Sequence, residues 1–453
     1  MTYEKKQMIS DLKPLLEQSS LEAVGALVAD LHPADIADII ESLTENEKRL
    51  LFQALDARTA SEVVVELSDF SRDQVLEGIH TQRLADIVDD MPSDEATDFI
   101  AELPAGQAAE VLRRIDLEDT EDVRTLLQYD EDSAGGIMQL ELLSARVDQT
   151  VQDAIDAIRQ AKDEAEDIYN VFVVDAQNRL MGTLPIFKLL LEKPDVVIES
   201  IFEPCPLIIK ANEDQETVAH KFRHYDLVSA PVVDDDGHLL GRITIDDVME
   251  VLEEETREDL LRMAGASSEE DMFYSNQIFR ISRLRLPWLL TNMFGGLVTG
   301  YILWLFKLTV PEAVTLMSFV PVIMSMGGNV GIQSSTIMVR GFAVGAVNPS
   351  NILKMLFKEI RVAAVIGCTC GLAVGLLAQL WHGSYKLGVV VGFSMLGAIM
   401  SAALTGTIFP ALFKRIGVDP AISSGPFVTT ANDIIGVLIY FGIAAIFYRL
   451  LLW

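Results

Sequence analysis

The 453-residue sequence contains only three cysteines and, after Ser275, only four acidic residues. Cys205, Cys368 and Cys370 are too few and too scattered for a disulfide framework. No apolar core follows Met1, so we expect no cleavable signal and a cytoplasmic N-terminal part. The sequence has no phosphate-cradling glycine loop, nucleophile elbow or metallohydrolase histidine motif, which argues against an enzyme.

The acids are concentrated before Ser275, where 63 acidic and 23 basic residues leave a net charge of −40. A surface of this sign repels phosphates, which argues against nucleic acid and anionic lipid as partners and favours cations. The alternative is that the charge only keeps a soluble region soluble.

The C-terminal part has five apolar segments of the roughly 20 residues that a helix needs to cross a bilayer. They lie at about 286–306, 313–339, 360–381, 387–412 and 426–449. Lys and Arg are concentrated on alternate flanks, which predicts a cytoplasmic N-terminus and an external C-terminus.

Residues 1–133 are predicted to form an acidic helical N-domain. Segments that begin at Ile79, Met91 and Leu103 repeat with a period of twelve, each with a turn or capping residue before an apolar helical face. Helices this short cannot bury their faces alone, which predicts stacking into a superhelix. We interpret His32 and His80, at helix starts, as structural.

A second internal repeat follows the N-domain. Val173-Val174-Asp175 with Leu180-x-Gly182 matches Val232-Val233-Asp234 with Leu239-x-Gly241 at a constant offset of 59. The match predicts two copies of a strand, a turn, a second strand and a helix.

This repeat resembles a tandem pair of cystathionine-β-synthase (CBS) domains, a module that commonly senses nucleotides or ions. The two copies are predicted at 134–199 and 200–255. Asp246-Asp247 matches the position where such domains often place a ribose-binding Asp, whereas the first copy has Ile186-Phe187 there. The resemblance therefore implies at most one ordinary nucleotide site.

An acidic connecting helix is predicted at 246–275, overlapping the end of the second CBS copy. Glu255 and Asp259 are spaced i, i+4, so their carboxylates lie side by side and repel each other by a few tenths of a kcal/mol. A solvated linker would have a similar composition, but the position between a sensor and a membrane domain favours a functional role.

Two stretches within the apolar spans carry polar groups that a purely anchoring helix does not need. One runs from Gly327 to Ser334 and the other from Gly425 to Asp433. Asp433 is the only acid predicted at mid-span, where an ionised Asp costs on the order of 2.5–3.5 kcal/mol, so it should face a polar interior. Gly327-Gly328 and Gly425-Pro426 are predicted to break both helices and expose carbonyl groups to a cavity; close helix packing is the alternative.

The transported species is predicted to be a cation, because no basic residue lies in the core of a span. One carboxylate among hydroxyls and carbonyls suits a hydrated Mg²⁺ ion, which sheds its waters reluctantly. The lack of Cys, Met or His clusters at this position disfavours Cu⁺ and Zn²⁺. Co²⁺, Ni²⁺ or Mn²⁺ transport stays open, as does a membrane-anchored sensor that transports nothing.

The domain order and two motifs point to a known family. The motifs are Gly327-Gly328-Asn329-x-Gly331-x-Gln333-Ser334 and Gly417-Val418-Asp419-Pro420-Ala421. Together they resemble the MgtE family of bacterial magnesium channels, over essentially the whole chain. The family often has Asn where this chain has Ile332. The implied fold is a multidomain membrane protein: a superhelical N-domain, an α/β CBS pair, a long connecting helix and a transmembrane domain of five helices at 276–453.

The resemblance also implies an assembly and a mechanism. The protein would be a homodimer in the lipid bilayer of the bacterial inner membrane, with a pore between the second and fifth spans of both subunits. Cytosolic Mg²⁺ would close the pore by binding between the acidic domains. Charge supports this feedback independently, because two highly acidic subunits repel until divalent ions bridge them.

The resemblance implies two ligands. Mg²⁺ would be both the transported and the regulatory ion, and a nucleotide would bind the CBS pair. Asp433 would bind the hydrated ion, and the pore would be lined by Gly327, Gly328, Asn329, Gln333, Thr429 and Asn432. The regulatory residues would be Glu255, Glu258, Asp259 and Asp419 at the connecting helix; Asp214, Glu216, Asp226, Asp247 and Glu250 in the second CBS copy; and Glu62, Asp94 and Asp98 in the N-domain.

Overall fold

The structure is a computed structural model that describes residues 3–160, 169–264, 278–307, 313–343, 347, 352–423 and 425–451. It contains two compact units, Met1–Glu255 and Thr256–Trp453.

The first unit begins with short helices in a regular series. They are α1 (Tyr3–Glu17), α2 (Leu21–Val28), α3 (Pro33–Glu41), α4 (Glu45–Gln53), α5 (Ala57–Val65), α6 (Asp69–Leu76), α7 (Thr81–Val88), α8 (Ser93–Glu102), α9 (Ala105–Val111) and α10 (Leu117–Leu126). From α2 to α10 every helix begins one period of twelve after the helix before it. The predicted repeat is confirmed, and it extends over most of the helical segment.

The helices stack because each buries one apolar face against helices close to it in sequence. Helices two apart in the series pack together, as α3 does on α5 and α4 on α6. One hydrophobic core runs through the whole stack, from Leu12 in α1 to Val123 in α10. This is the superhelical arrangement that short repeated helices favour.

The helix starts explain the roles of the two histidines. His32 is the N-cap of α3, and its Nδ1 accepts a hydrogen bond from the Ala34 backbone N–H at 3.3 Å. His80 occupies the N-cap position of α7. Both are therefore at capping positions, in agreement with a structural interpretation.

Two small sheets follow in the same unit. The first contains β1 (Ser144–Arg146), β2 (Asn170–Val174) and β3 (Leu180–Pro185), with helices α11 (Val151–Gln160) and α12 (Ile186–Leu191) and a 3-10 turn at Ile198–Ser200. The second contains β4 (Ile209–Lys210), β5 (Ser229–Val233) and β6 (Leu239–Thr244), with helices α13 (Gln215–Tyr225) and α14 (Ile245–Ala264).

The two sheets confirm the constant offset between the repeated motifs. In each sheet, the first strand pairs in parallel with the second, which pairs antiparallel with the third. Even the register shift recurs, between Val173 and Val174 and between Val232 and Val233. The repeated hairpins also touch each other, because the Leu180 N–H donates to Gly237 and the Leu239 N–H donates to Asn178.

Helix α14 runs uninterrupted from the second sheet to Ala264, as its acidic sequence predicts. The remainder of the predicted connecting helix, residues 265–275, lies outside the described residues.

The second unit is dominated by long apolar helices. They are α15 (Ile278–Lys307), the short α16 (Ala313–Met317), α17 (Val320–Ala343), α18 (Ile352–His382), α19 (Tyr385–Arg415) and α20 (Pro426–Leu451). Among the described residues, five spans are long and apolar enough to cross a membrane, as predicted: Arg285–Phe306, Thr315–Ala343, Ile352–His382, Tyr385–Arg415 and Pro426–Phe447.

Helix α19 lies at the centre and packs on α17, α18 and α20. It approaches α18 through glycines, and a Cβ added to Gly371 would lie only 2.5 Å from the Gly392 carbonyl oxygen. Small residues of this kind bring membrane helices into close contact without a hydrophobic driving force.

The prediction of two broken helices is wrong for the described residues. Helix α17 continues through Gly327-Gly328, and α20 begins at Pro426, so Gly425-Pro426 marks a helix start. A glycine costs a helix only about 1 kcal/mol, which packing can offset. Pro is well suited to the first helical position, because its N–H would have no partner there.

The predicted start of the third span, at about residue 360, is too late. The third span begins at Ile352, earlier than expected, and therefore contains Glu359. Basic residues nearby shortened the apolar window in the sequence, whereas the backbone hydrogen bonds of α18 continue through them.

Candidate functional site

Helix α17 presents polar side chains on an exposed face. Ser325, Asn329 and Gln333 are spaced four residues apart and are all exposed. Lipid offers no hydrogen-bond partner to such groups, so this stripe should face water or another protein surface.

Gly327, Gly328 and Gly331 of α17 are buried, and Gly328 and Gly331 face α20. A Cβ added to Gly331 would lie 1.9 Å from the Asn432 Nδ2 atom, so only glycine fits there. Gly328 faces the Thr429 methyl group at an ordinary 3.7 Å, and a Cβ at Gly327 would meet nothing within 4 Å. Close packing, the alternative considered for these glycines, therefore accounts for Gly331.

Two predicted lining residues on α20 are occupied within the helix bundle. Asn432 is 3% exposed, and its Oδ1 accepts a hydrogen bond from the Thr405 hydroxyl of α19. Its Nδ2 has no partner among the described residues. The Thr429 hydroxyl donates to the Gly425 carbonyl oxygen at 3.2 Å.

Asp433 follows Asn432 and is partly buried. Among the described residues it has no hydrogen-bond or ion-pair partner. A carboxylate inside an apolar span is costly unless something compensates it. Asp433 is therefore a group in the described part of the bundle that an external cation would compensate.

Asp419, predicted to act at the cytoplasmic end of the fifth span, pairs with a cationic side chain. It lies beyond the end of α19, where its Oδ1 accepts from the Ala421 N–H at 2.8 Å, and its Oδ2 pairs with Arg262 of α14. Arg262 also pairs with Glu258, one helical turn earlier. The structure thus brings together two predicted metal ligands, with a guanidinium between them.

The first unit contains a separate acidic cluster, formed by Asp94, Glu95 and Asp98 of α8 with Asp247 and Glu250 of α14. Asp94 is 6% exposed, and its Oδ1 has no partner among the described residues. Burial, followed by repulsion from Asp247, raises the pKa of Asp94 well above its usual range.

The other members of the acidic cluster are affected in the same way. Burial, followed by repulsion from Glu250 and Asp247, raises the pKa of Glu95 to about 8. Burial and nearby acids also raise the pKa of Asp247 and Glu250. For Asp98 the same causes raise the pKa to about 7, but its side chain is exposed, so solvent screens much of this repulsion. The cluster is therefore a place where bound cations would relieve repulsion.

Asp247 is held in place by its own helix start. Its Oδ2 accepts from the Thr244 N–H at 2.9 Å and from the Thr244 hydroxyl at 2.7 Å, and its Oδ1 accepts from Gln139 at 3.3 Å. These bonds explain its fixed position beside α8.

The remaining predicted regulatory residues are distributed more widely. Asp214 caps the start of α13, and Asp226 ends it in a left-handed conformation. The length of the helix separates them by about 18 Å, so they cannot share one ion. Glu216 lies 3.6 Å from His220, Glu62 pairs with Arg58 at 3.5 Å, and Glu255 accepts from Gln215 at 2.9 Å.

Comparison with known proteins follows this division of the chain. The MgtE family of divalent cation transporters matches residues 320–443, the MgtE intracellular N domain matches residues 31–132, and the CBS domain matches residues 198–254. The Magnesium transporter MgtE of Thermus thermophilus is 34% identical over 447 residues, covering 97% of this chain and 98% of that protein. That of Enterococcus faecalis is 32% identical, covering 91% and 96%.

This chain belongs to the MgtE family. Two solved structures of MgtE proteins match its cytosolic part. The soluble part of a magnesium transporter is 28% identical with a TM-score of 0.51, covering 55% of this chain and 99% of that one. The cytosolic domain of the Mg²⁺ channel MgtE in complex with ATP is 29% identical with a TM-score of 0.51, covering 54% of this chain and 99% of that one.

Several residues of this MgtE chain were missed by sequence reasoning. Glu95 belongs to no motif of its own, Arg262 is one of many basic residues, and Glu359 was assigned to a span end. Thr430 lies in the predicted polar stretch of the fifth span, and its hydroxyl donates to Asn292 of α15 at 2.9 Å. For Arg262 the i, i+4 spacing from Glu258 was an available signal.

Proposed function

We propose that this protein mediates Mg²⁺ uptake as a channel or transporter that cytosolic Mg²⁺ closes. The observation that carries the proposal is Asp433, a carboxylate inside an apolar helix that makes no hydrogen bond or ion pair with the described residues. We assign Mg²⁺ as the transported ion because the relatives of this chain are named magnesium transporters. A hydrated Mg²⁺ ion would offset the charge while water bridges it to the surrounding oxygens.

The pathway would lie between the second and fifth spans of two subunits. The exposed Asn329 and Gln333 support this arrangement, because in a single chain they would face lipid. Gly327, Gly328, Thr429 and Asn432 would form the wall behind them, where α17 and α20 pack together.

A second copy of the chain would also cover an apolar surface on the first CBS copy. Helix α12 exposes Phe187, Leu190 and Leu191 at 65%, 71% and 79%. An exposed apolar surface of this kind is typical of a protein interface. We propose a homodimer for this reason.

Feedback would arise from the acidic cluster and from the high negative charge of the first unit. Without divalent ions, Asp94, Glu95 and Asp247 repel one another, which disfavours contact between α8 and α14. Mg²⁺ bound at Asp94, Asp98, Asp247 and Glu250 would favour the compact arrangement by its differential affinity for that arrangement.

Closure would reach the membrane through α14. Glu255, Glu258 and Asp259 lie on this helix, and Asp419 at the start of the fifth span is paired to it through Arg262. We propose that Mg²⁺ joins these carboxylates when the cytosolic concentration is high. Asp214, Glu216, Asp226 and Glu62 would contribute to further regulatory sites.

A nucleotide would bind the CBS pair near Asp246-Asp247. The support is a similar cytosolic domain solved in complex with ATP.

We place the protein in the bacterial inner membrane with a cytoplasmic N-terminus, and we propose no catalytic activity, because its relatives are transporters.

The domain limits proposed for this function are 1–133, 134–199, 200–255, 246–275 and 276–453.

Transport of Co²⁺, Ni²⁺ or Mn²⁺ is a second candidate, because one carboxylate and oxygen donors discriminate poorly among hydrated divalent ions. Competition of these ions with Mg²⁺ flux separates the two candidates.

The test is Mg²⁺ flux through full-length protein in liposomes, for the wild type and Asp433→Asn. The cytoplasmic side is held first at low and then at high Mg²⁺. We expect flux that requires Asp433 and decreases at high Mg²⁺. An absence of wild-type flux under both conditions would favour a sensor that transports nothing.

A further inference from the structure

A second carboxylate lies inside the membrane helices. Glu359 of α18 is 6% exposed, and its Oε2 accepts a hydrogen bond from the Ser334 hydroxyl of α17 at 3.1 Å. Among the described residues it has no ion-pair partner. Burying a carboxylate is costly unless it is compensated, and the Ser334 hydroxyl is the compensation that the described residues offer.

Ser334 belongs to a turn of α17 that contacts three other helices. Gly331, at the start of this turn, lies against Asn432 of α20. A Cβ added to Gly406 of α19 would lie 2.4 Å from the Gly331 carbonyl oxygen and 3.0 Å from the Ser334 Cβ. Ser334 itself is 3% exposed and faces Glu359.

The Glu359 contact therefore restrains this turn on the side of α18. The exposed Gln333 belongs to the same turn, next to Ser334. Any rotation of α17 about its axis would break the Ser334–Glu359 bond and move Gln333. The tight contacts at Gly331 and Gly406 leave little room to recover the bond in a rotated position.

Glu359 and Asp433 also occupy corresponding positions. Each lies two helical turns after the first residue of its helix, Ile352 for α18 and Pro426 for α20. The third and fifth spans run in the same direction because consecutive spans alternate. Each carboxylate is therefore about 10 Å along its helix from the helix start.

We infer that Glu359 is a positioning residue for the ion pathway: by accepting the Ser334 hydrogen bond it fixes the rotation of α17 and thereby the placement of Gln333. The inference rests on the proposed transport function and adds a residue to it. Glu359 acts through Ser334, so a side chain that preserves the bond should preserve the affinity of the pathway for Mg²⁺.

The experiment measures Mg²⁺ flux against Mg²⁺ concentration for full-length variants in liposomes. We expect Glu359→Ala and Ser334→Ala each to raise the concentration for half-maximal flux by about 3- to 10-fold, the effect of one lost buried hydrogen bond. The maximal rate per incorporated protein should stay within about twofold. The double variant should be no worse than either single variant, because both remove the same bond.

Two further variants separate positioning from a simple effect on folding. Glu359→Gln can still bond to Ser334 and should stay within about twofold of the wild type. Ser335→Ala removes the adjacent buried hydroxyl of α17, which has no partner among the described residues, and should change nothing. If Glu359→Ala fails to fold, the comparison of Ser334→Ala with Ser335→Ala still decides whether the Ser334–Glu359 hydrogen bond matters for flux.

An unchanged Glu359→Ala, an additive double variant, or a Glu359→Gln as impaired as Glu359→Ala would each overturn the inference. The last result would assign the effect to the charge and not to the hydrogen bond. Wild-type and Asp433→Asn proteins are measured in the same series. Absent wild-type flux would refute the proposed function itself, whereas flux that needs Asp433 but ignores Glu359 and Ser334 would refute only this inference.

Discussion

Carboxylates are arranged in opposite ways in the two units of the chain. In Met1–Glu255, Asp94, Glu95 and Asp247 are crowded together, and each disfavours ionisation of the others. In Thr256–Trp453, the described carboxylates have different environments: Asp419 shares Arg262 with Glu258, Glu359 accepts from Ser334, and Asp433 has no partner in the described part.

This difference separates regulation from transport. The crowded acids of the first unit share their repulsion, so several cations acting together relieve it, which suits a graded response to concentration. An isolated carboxylate in an apolar helix concentrates the requirement for a cation at one point, which suits a single transported ion.

The largest expected effect contrasts the isolated carboxylate with the paired one. Asp433→Asn should reduce Mg²⁺ flux by about 100-fold, because losing a desolvated charge partner costs roughly 2–5 kcal/mol and about 1.4 kcal/mol corresponds to tenfold. Asp419→Asn should leave flux at low cytoplasmic Mg²⁺ intact and alter only the inhibition at high Mg²⁺. Equal loss of flux in both variants would remove the distinction.

The crowding in the first unit predicts a dependence of stability on pH. The pKa of Glu95 is raised to about 8 in the folded protein. Glu95 therefore costs no folding stability below its ordinary pKa, and the loss of stability grows as pH rises toward 8. Without Mg²⁺, the protein should lose on the order of 1–2 kcal/mol of stability between pH 6 and pH 8.5. Calorimetry of solubilised protein with a chelator measures this loss.

Glu95→Gln should reduce that pH dependence and leave the part due to Asp94, Asp98 and Asp247, and saturating Mg²⁺ should also reduce it for the wild type. A variant with the wild-type slope would show that Glu95 is not the group responsible.

A smaller effect is expected for the guanidinium that joins the connecting helix to the fifth span. Arg262→Gln releases Glu258 and Asp419 for Mg²⁺, so the Mg²⁺ concentration for half-inhibition should fall by about 2- to 5-fold, as expected for partly exposed ion pairs. Arg257→Gln, on the same helix and exposed, is the matched control. A rise in the inhibitory concentration would instead mean that Arg262 holds the closed state.

The smallest effect tests the wall of the pathway. Thr405→Ala removes the hydrogen bond to Asn432 and should lower stability by about 0.5–1.5 kcal/mol, with flux reduced less than about threefold. Thr407→Ala is the control, since that buried hydroxyl bonds only within its own helix, to the Ala403 carbonyl oxygen. Thermal unfolding of solubilised protein compares the two, and equal destabilisation would argue against a special role for Asn432.

Repeats and hydrophobicity made much of the fold predictable. The period of twelve placed helix starts such as Thr81, Ser93 and Ala105, and the constant offset between the CBS copies placed β5 and β6 from β2 and β3. These features are local, because capping residues and alternating apolar residues act within a few positions of the chain.

Glycine-containing helices were predicted less well. Gly327-Gly328 weakens a helix in isolation, yet α17 continues through these glycines and packs against α19 and α20. The same packing put Asn432 against Thr405, a contact that no spacing in the sequence indicates.

The sequence by itself determined the charge of −40 before Ser275, the two repeats, the five apolar spans and the position of Asp433 within the fifth of these spans. Only the tertiary structure decided which carboxylates are crowded, which are paired and which stands alone. Charge and hydrophobicity are properties of individual residues, whereas a pKa shift, an ion pair or a buried hydrogen bond requires two groups distant in sequence to meet. Asp94 and Asp247, Arg262 and Asp419, and Ser334 and Glu359 meet only once the chain is folded.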